Sequence, residues 1–214
     1  FLDKSYPYWY YIDTKKQKKE RRRLENLILS QPSLYLEKGK IKMKKIYPNL
    51  YYKKVEEITI ETLLKNKIKL LILDVDNTLI DYYKNLSEEV KQWAKEMKGQ
   101  GIKLYILSNT NNKEKVETVA KTLQIPYKHL AMKPLKRGFK YIQKETKIKP
   151  ENIAVVGDQI FTDVLGGNRS NMFTILVDPI DEKKDYWYTA WKRPIENKIK
   201  NTFKAKEEKN KDVY

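Results

Sequence analysis

Asp74-Val75-Asp76-Asn77-Thr78 sets two carboxylates one residue apart, directly after the apolar run Leu70 to Leu73. Where a buried strand leaves a sheet, two such groups need a compensating cation, and a magnesium ion is the natural candidate. Carboxylates are also the chemistry that elimination leaves. The chain has no cysteine and a single histidine, His129, which excludes a thiolate zinc site and a cysteine nucleophile and disfavours a serine–histidine triad. Three more clusters follow. Leu107-Ser108-Asn109-Thr110-Asn111 offers a hydroxyl, an amide and backbone N–H groups ahead of a helix, a disposition suited to phosphate oxygens. Met132-Lys133-Pro134 brings an ammonium to the same phosphate, and Val156-Gly157-Asp158 through Asp163 brings a further carboxylate for the metal and one about a turn onward. Taken singly, the Asp74–Asp76 pair also reads as a strand-ending turn, Ser108 as a helix cap, Lys133 as a surface cation and Asp158 as an N-cap. Taken jointly, they form an ordered set of acid, hydroxyl and lysine groups.

The elements that must position this set alternate between strand-length apolar runs and helical patterns, the signature of a parallel sheet with crossover helices. Ile68 to Leu73, Ile102 to Leu107, Ile153 to Val156 and Phe173 to Val177 read as strands, apolar on both faces as buried parallel strands are, with a weaker one at Tyr127 to Ala131. Ser87 to Lys98 reads as a helix opened by Ser-Glu-Glu-Val. Lys113 to Leu123 reads as a second, and Pro134 as the start of a third. The expected fold is a Rossmann-like α/β three-layer sandwich around a mainly parallel five-stranded sheet. Ligands of such sheets bind beyond the carboxyl ends of the strands, where every cluster above falls.

Asp74-Val75-Asp76-Asn77-Thr78, Ser108, Lys133 and Gly157-Asp158 to Asp163, in this order and each after an expected strand, resemble the four motifs of the haloacid dehalogenase-like (HAD) phosphatases. Tyr47-Pro48-Asn49-Leu50-Tyr51, Lys133-Pro134 and the stretch Gly157 to Arg169 are closer still to the YqeG-like class IIIA members, which are similar to phosphatidylglycerophosphate phosphatases. The resemblance covers Met43 to Ile180 and departs at Thr110, where Asn is expected. It implies that Asp74 attacks phosphorus to form an aspartyl-phosphate, and that Asp76 acts as general acid and then base. It also implies that magnesium is held by Asp74, the Asp76 carbonyl, Asp158 and Asp163, and that Ser108, Asn109 and Lys133 steady the phosphoryl oxygens. No cap-sized insertion fits between Asp76 and Ser108 or between Ser108 and Lys133. An open site of this kind suits a phosphate carried on something large.

Composition sets the remaining bounds. The 214 residues carry a formal charge of +17 and no apolar run approaching the ~20 residues that cross a bilayer. Residues 1–42 hold 11 basic and 5 acidic side chains, 43–180 hold 24 and 16, and 181–214 hold 10 and 7. The first segment, basic and aromatic, reads as an RNA- or membrane-binding arm, as a solvated tail or, the favoured reading, as an extension foreign to the natural protein, with Met43 as a natural start. The second is the phosphatase domain. The third is a basic amphipathic tail in which Trp187, Tyr188 and Trp191 precede Ile195, Ile199 and Phe203, a pattern that suits a membrane interface or packing on the domain. Gly166-Gly167 reads as a packing or turn feature rather than a phosphate loop. The expected protein, its lipid substrate implied only by the resemblance, is a magnesium-dependent phosphatidylglycerophosphate phosphatase, cytoplasmic and peripheral on the inner face of a bacterial membrane, with an anionic phospholipid as substrate. A nucleic-acid-end or phosphoprotein phosphatase is the enzyme alternative. A non-catalytic RNA- or ribosome-binding protein would have no need of both Asp74 and Asp76.

Overall fold

A computed structural model describes residues 46–181 and 193–211. The expectations for residues 1–42, and for Trp187, Tyr188 and Trp191, lie outside the described residues. Six parallel strands form one sheet: β1 (Leu50–Tyr52), β2 (Leu70–Leu73), β3 (Lys103–Leu107), β4 (Tyr127–Lys128), β5 (Ile153–Gly157) and β6 (Phe173–Val177). Their spatial order is β1-β6-β5-β2-β3-β4. This is one strand more than expected. β1 is three residues long, half-buried along its length and flanked by Pro48, Lys53 and Lys54, so its sequence lacks the apolar run that marks the central strands. Its register on β6 is set partly by Asn49, whose side chain accepts from the Thr174 N–H at 2.9 Å.

Alternation along β2 divides the core. Leu71 and Leu73 face a cluster with α1 (Ile60–Lys65), α2 (Glu88–Gly99) and α3 (Lys113–Leu123), through Leu63, Trp93, Met97, Val116 and Leu123. Leu70 and Ile72 face a second cluster with Phe139 and Ile142 of α4 (Lys136–Thr146). Two apolar faces covered by helices make the three layers expected of a buried parallel sheet. α2 is capped as its sequence suggests, the Ser87 hydroxyl accepting from the Val90 N–H at 3.2 Å. α4 begins at Lys136, two residues after the proline, because Leu135 holds an extended conformation at the N-cap.

After β5 the chain makes a π-helical turn at Ile160–Val164 and runs into the short α5 (Leu165–Arg169). A Cβ on Gly166 would lie 2.5 Å from the Phe139 ring, and one on Gly167 2.6 Å from Thr174 Cγ2, so the glycine pair lets α5 press against α4 and β6. It is a packing feature. α6 (Arg193–Lys211) closes the described chain. Its Ile199 is buried and its Phe203 stacks on Tyr47 with ring centroids 6.5 Å apart, so this part of the apolar stripe packs on the domain. Among the described residues, no helix is long and apolar enough to cross a membrane. The intervals from Asp76 to Ser108 and from Ser108 to Lys133 hold one helix each, α2 and α3, and no cap.

Candidate active site

β2, β3 and β5 lie side by side at the centre of the sheet, so the residues that follow them meet at one end. The Asp74 N–H still donates to Val156 of β5 at 3.0 Å, and beyond it the chain turns back. Asn77 takes the left-handed conformation that Asn tolerates, with φ 62°. Its side-chain oxygen accepts from the Asp181 N–H at 2.8 Å, tying this turn to the loop after β6. Asp74, Asp158 and Asp163, all buried, each offer an oxygen within 4.8 Å of the others. Lys133 enters among them with its Nζ 2.8 Å from Asp74 Oδ1 and 2.6 Å from Asp163 Oδ1. Neither contact is well aligned as a hydrogen bond, so the ammonium acts here mainly through its charge. Burial pushes the Lys133 ammonium down, but the two carboxylates outweigh it and leave its pKa raised.

The carboxylates are short of positive charge. Burial pushes Asp158 up to about 8, Arg193 opposing this while Asp74 and Asp163 add to it. Burial likewise raises Asp163, against the pull of Lys133. Three buried oxygen donors in a region of excess negative charge fit a hard divalent cation such as magnesium. Asp163 reaches this position because the π-helical turn folds it back. Its Oδ2 accepts from the Thr162 hydroxyl at 3.1 Å and the Gln159 N–H at 3.3 Å, and any Cβ at Gly157 would fall 2.3 Å from its Cγ. Gly157→Ala is therefore expected to displace the Asp163 carboxylate and lower phosphatase kcat/KM about 100-fold, as a misplacement near 1 Å does. Steady-state kinetics against the parent protein check this.

The other residues singled out in the sequence converge here too. Ser108 is buried and its Oγ accepts from the Thr110 N–H at 3.2 Å, which leaves its own O–H able to donate to a phosphate oxygen. The Asn109 amide is engaged with Lys133: its Oδ1 accepts from the Lys133 N–H at 2.6 Å and its Nδ2 donates to the Lys133 carbonyl at 3.0 Å. In this structure its side chain positions Lys133. Asp76 lies at the mouth, paired with Lys115 of α3, and burial raises its pKa in spite of that pairing.

Three partners escaped the sequence reading. Lys115 left one signal, a cation in the first turn of a helix, where the dipole disfavours it. Thr78 Oγ1, 3.4 Å from Asp158 Oδ1, lay within the first cluster without an assigned contact. Arg193, paired with Asp158 Oδ2, sat in a basic stretch with nothing to distinguish it.

Residues 36–181 match the family described as mitochondrial PGP phosphatase. The chain is 37% identical over 166 residues to the probable phosphatase YqeG of Bacillus subtilis strain 168, an alignment covering 77% of this chain and 95% of that protein. Among solved structures, an uncharacterized protein from Listeria monocytogenes serotype 4b aligns over 55% of this chain and 85% of its own, with TM-score 0.45 and 21% identity. The cobalt-bound deoxy-D-mannose-octulosonate 8-phosphate phosphatase of Haemophilus influenzae aligns over 52% and 69%, with TM-score 0.44 and 18% identity. The matched segment spans Asp74, Ser108, Lys133 and Asp163, and the chain belongs to this PGP phosphatase family, a YqeG-like phosphatase and thus a phosphoric monoester hydrolase.

Proposed function

We propose that the chain is a magnesium-dependent phosphatidylglycerophosphate phosphatase working through an aspartyl-phosphate on Asp74. Asp74 attacks phosphorus, the bond from phosphorus to the glycerol oxygen breaks, and Asp76 gives the leaving alkoxide its proton. Water then attacks the same phosphorus and Asp76 takes up its proton. The acyl-phosphate bond breaks, freeing inorganic phosphate and restoring Asp74. A raised Asp76 pKa suits the donor role, and Lys115 holds the carboxyl in place between the two steps. Ser108 and Lys133 steady the phosphoryl oxygens, with Asn109 acting through Lys133. Asp74, Asp158 and Asp163 would hold the magnesium ion, with the Asp76 carbonyl as a further donor. When bound, the ion offsets the repulsion between an anionic nucleophile and an anionic phosphate.

The observation that carries the lipid reading is where the exposed apolar side chains lie. Of eight large ones among the described residues, six stand in loops that follow the carboxyl ends of strands: Tyr82, Tyr83, Leu130, Met132, Leu135 and Ile180. Exposed Lys84, Lys113, Lys136 and Arg137 are interleaved with them. A rim of apolar tips and cations around a phosphate site suits an anionic bilayer, where each cation near the surface contributes about 1 kcal/mol. The family's description as PGP phosphatases supports the same substrate. A peripheral position at an anionic membrane surface follows from this reading.

Phosphate release by the full chain with magnesium would be compared on vesicles carrying phosphatidylglycerophosphate, a 3′-phosphorylated oligonucleotide and a phosphopeptide. The lipid is expected to exceed the others about tenfold or more in kcat/KM, with loss of turnover on chelation. Tyr83→Ser with Leu130→Ser should raise KM on vesicles and leave hydrolysis of a small soluble phosphomonoester unchanged. Faster release from the oligonucleotide or the peptide would replace the lipid with that substrate.

A further inference from the structure

Arg193 opens α6 and reaches back 35 positions to Asp158. Its Nη2 pairs with Asp158 Oδ2, and its Nη1 donates to the main-chain carbonyl of the same residue at 2.9 Å, so the planar fork grips Asp158 at two points. The guanidinium is itself held. Glu196, one turn along α6, places Oε2 3.5 Å from Arg193 Nη1, while its Oε1 accepts from the Phe161 N–H at 3.0 Å. Asp158 is 3% exposed and Glu196 4%, so the arrangement is shielded from water. Farther along the helix, Ile199 is buried and Lys200 pairs with Asp178 at 2.8 Å. Both Arg193 and Glu196 lie beyond the segment that the family match covers.

A cation in this place has two possible roles: it competes with a metal ion for Asp158, or it orients the carboxylate to receive one. The contacts favour the second. Arg193 takes Oδ2 and the main-chain oxygen, while Oδ1 accepts from the Thr78 hydroxyl at 3.4 Å and is the oxygen we assign to the metal. A carboxylate that binds metal through one oxygen gains from having the other fixed, and such outer partners typically contribute 10–100-fold in metal affinity. The charges also accommodate both. As formal charges, the three carboxylates Asp74, Asp158 and Asp163 outnumber their paired cations, Lys133 and Arg193.

We propose that Arg193, anchored by Glu196, is a positioning residue for metal binding, so that docking of α6 and loading of a divalent cation at Asp158 reinforce one another. This rests on the reading that Asp74, Asp158 and Asp163 form the metal site. Mn2+ binding to the full chain, followed by the electron paramagnetic resonance of the free ion, tests it without any turnover. Arg193→Ala is expected to weaken Mn2+ binding about 10–100-fold. Arg193→Lys should restore only part of it, since lysine supplies the charge without the fork. Because coupling is reciprocal, saturating Mn2+ should slow amide exchange across residues 193–205 of the parent protein. Circular dichroism verifies the fold of each variant, and Arg193→Lys carries the test should the alanine variant unfold. Tighter binding by Arg193→Ala would mean that the guanidinium competes with the metal. Unchanged binding would reduce it to a structural contact, and either result overturns the inference. A parent protein that binds no Mn2+ would overturn the metal reading itself, and this one with it.

Discussion

Asp74→Asn abolishes phosphate release, by roughly 10⁴-fold or more, and leaves the melting transition where it was or slightly higher. The two halves of this expectation have separate causes. Asparagine keeps the size of the side chain but has no carboxylate to attack phosphorus, so no acyl-phosphate forms. The fold survives because the substitution removes one of three buried carboxylates that lie within 4.8 Å of one another and relieves their mutual repulsion. The cost is one partner of Lys133, which keeps Asp163 at 2.6 Å. Phosphate release, thermal melting and trapping of a phosphorylated Asp74 peptide from the parent protein would be measured together. Turnover at the parent rate would remove Asp74 as nucleophile. A large drop in melting temperature would mean that the carboxylate is structural as well.

The central sheet and the convergence of four loops were legible because they rest on local pattern. Leu70 to Leu73 and Ile153 to Gly157 are apolar on both faces, and in a parallel sheet the residues that follow such strands meet at one end. What escaped depended on partners distant in sequence. β1 is a strand because Leu50, Tyr51 and Tyr52 pair with Ile175, Leu176 and Val177, and nothing in its own composition announces it. Lys115 and Asp76 are 39 positions apart and Arg193 and Asp158 are 35, so the two cations were not tied to the site by sequence alone. Asn109 shows the reverse case. Its residue type and its place after β3 suggested phosphate contact, whereas the fold brings the Lys133 main chain to its amide. Residue type pointed to the side chains that lie together, and only the tertiary fold shows which group holds which.

Lys133→Met is expected to destabilise the protein by about 3–5 kcal/mol and to lower kcat about 100-fold or more, with a deficit in stability that depends on pH and on metal. The ammonium is almost wholly buried between Asp74 and Asp163, and methionine of similar length fills its space without its charge. In the parent protein the Lys133 pKa is raised, so its contribution is fully present below the ordinary lysine value and is lost only as pH rises through the folded-state value. Asp163 works in the same sense over a lower pH interval. Burial raises it above its unfolded value, so the folded state binds the extra proton and stability falls as pH climbs through that interval. Lys133 now restrains that rise, and without it Asp163 moves further up and the interval widens toward neutrality. The variant should therefore lie closest to the parent in mild acid and furthest from it near pH 8. A divalent cation should narrow the gap by replacing the missing charge, stabilising the variant more than the parent when each is saturated. Chemical denaturation across pH, with and without Mn2+, measures all of this. A deficit that is flat in pH would show that Lys133 contributes packing rather than charge, and its assigned role at the phosphate would fall with that result.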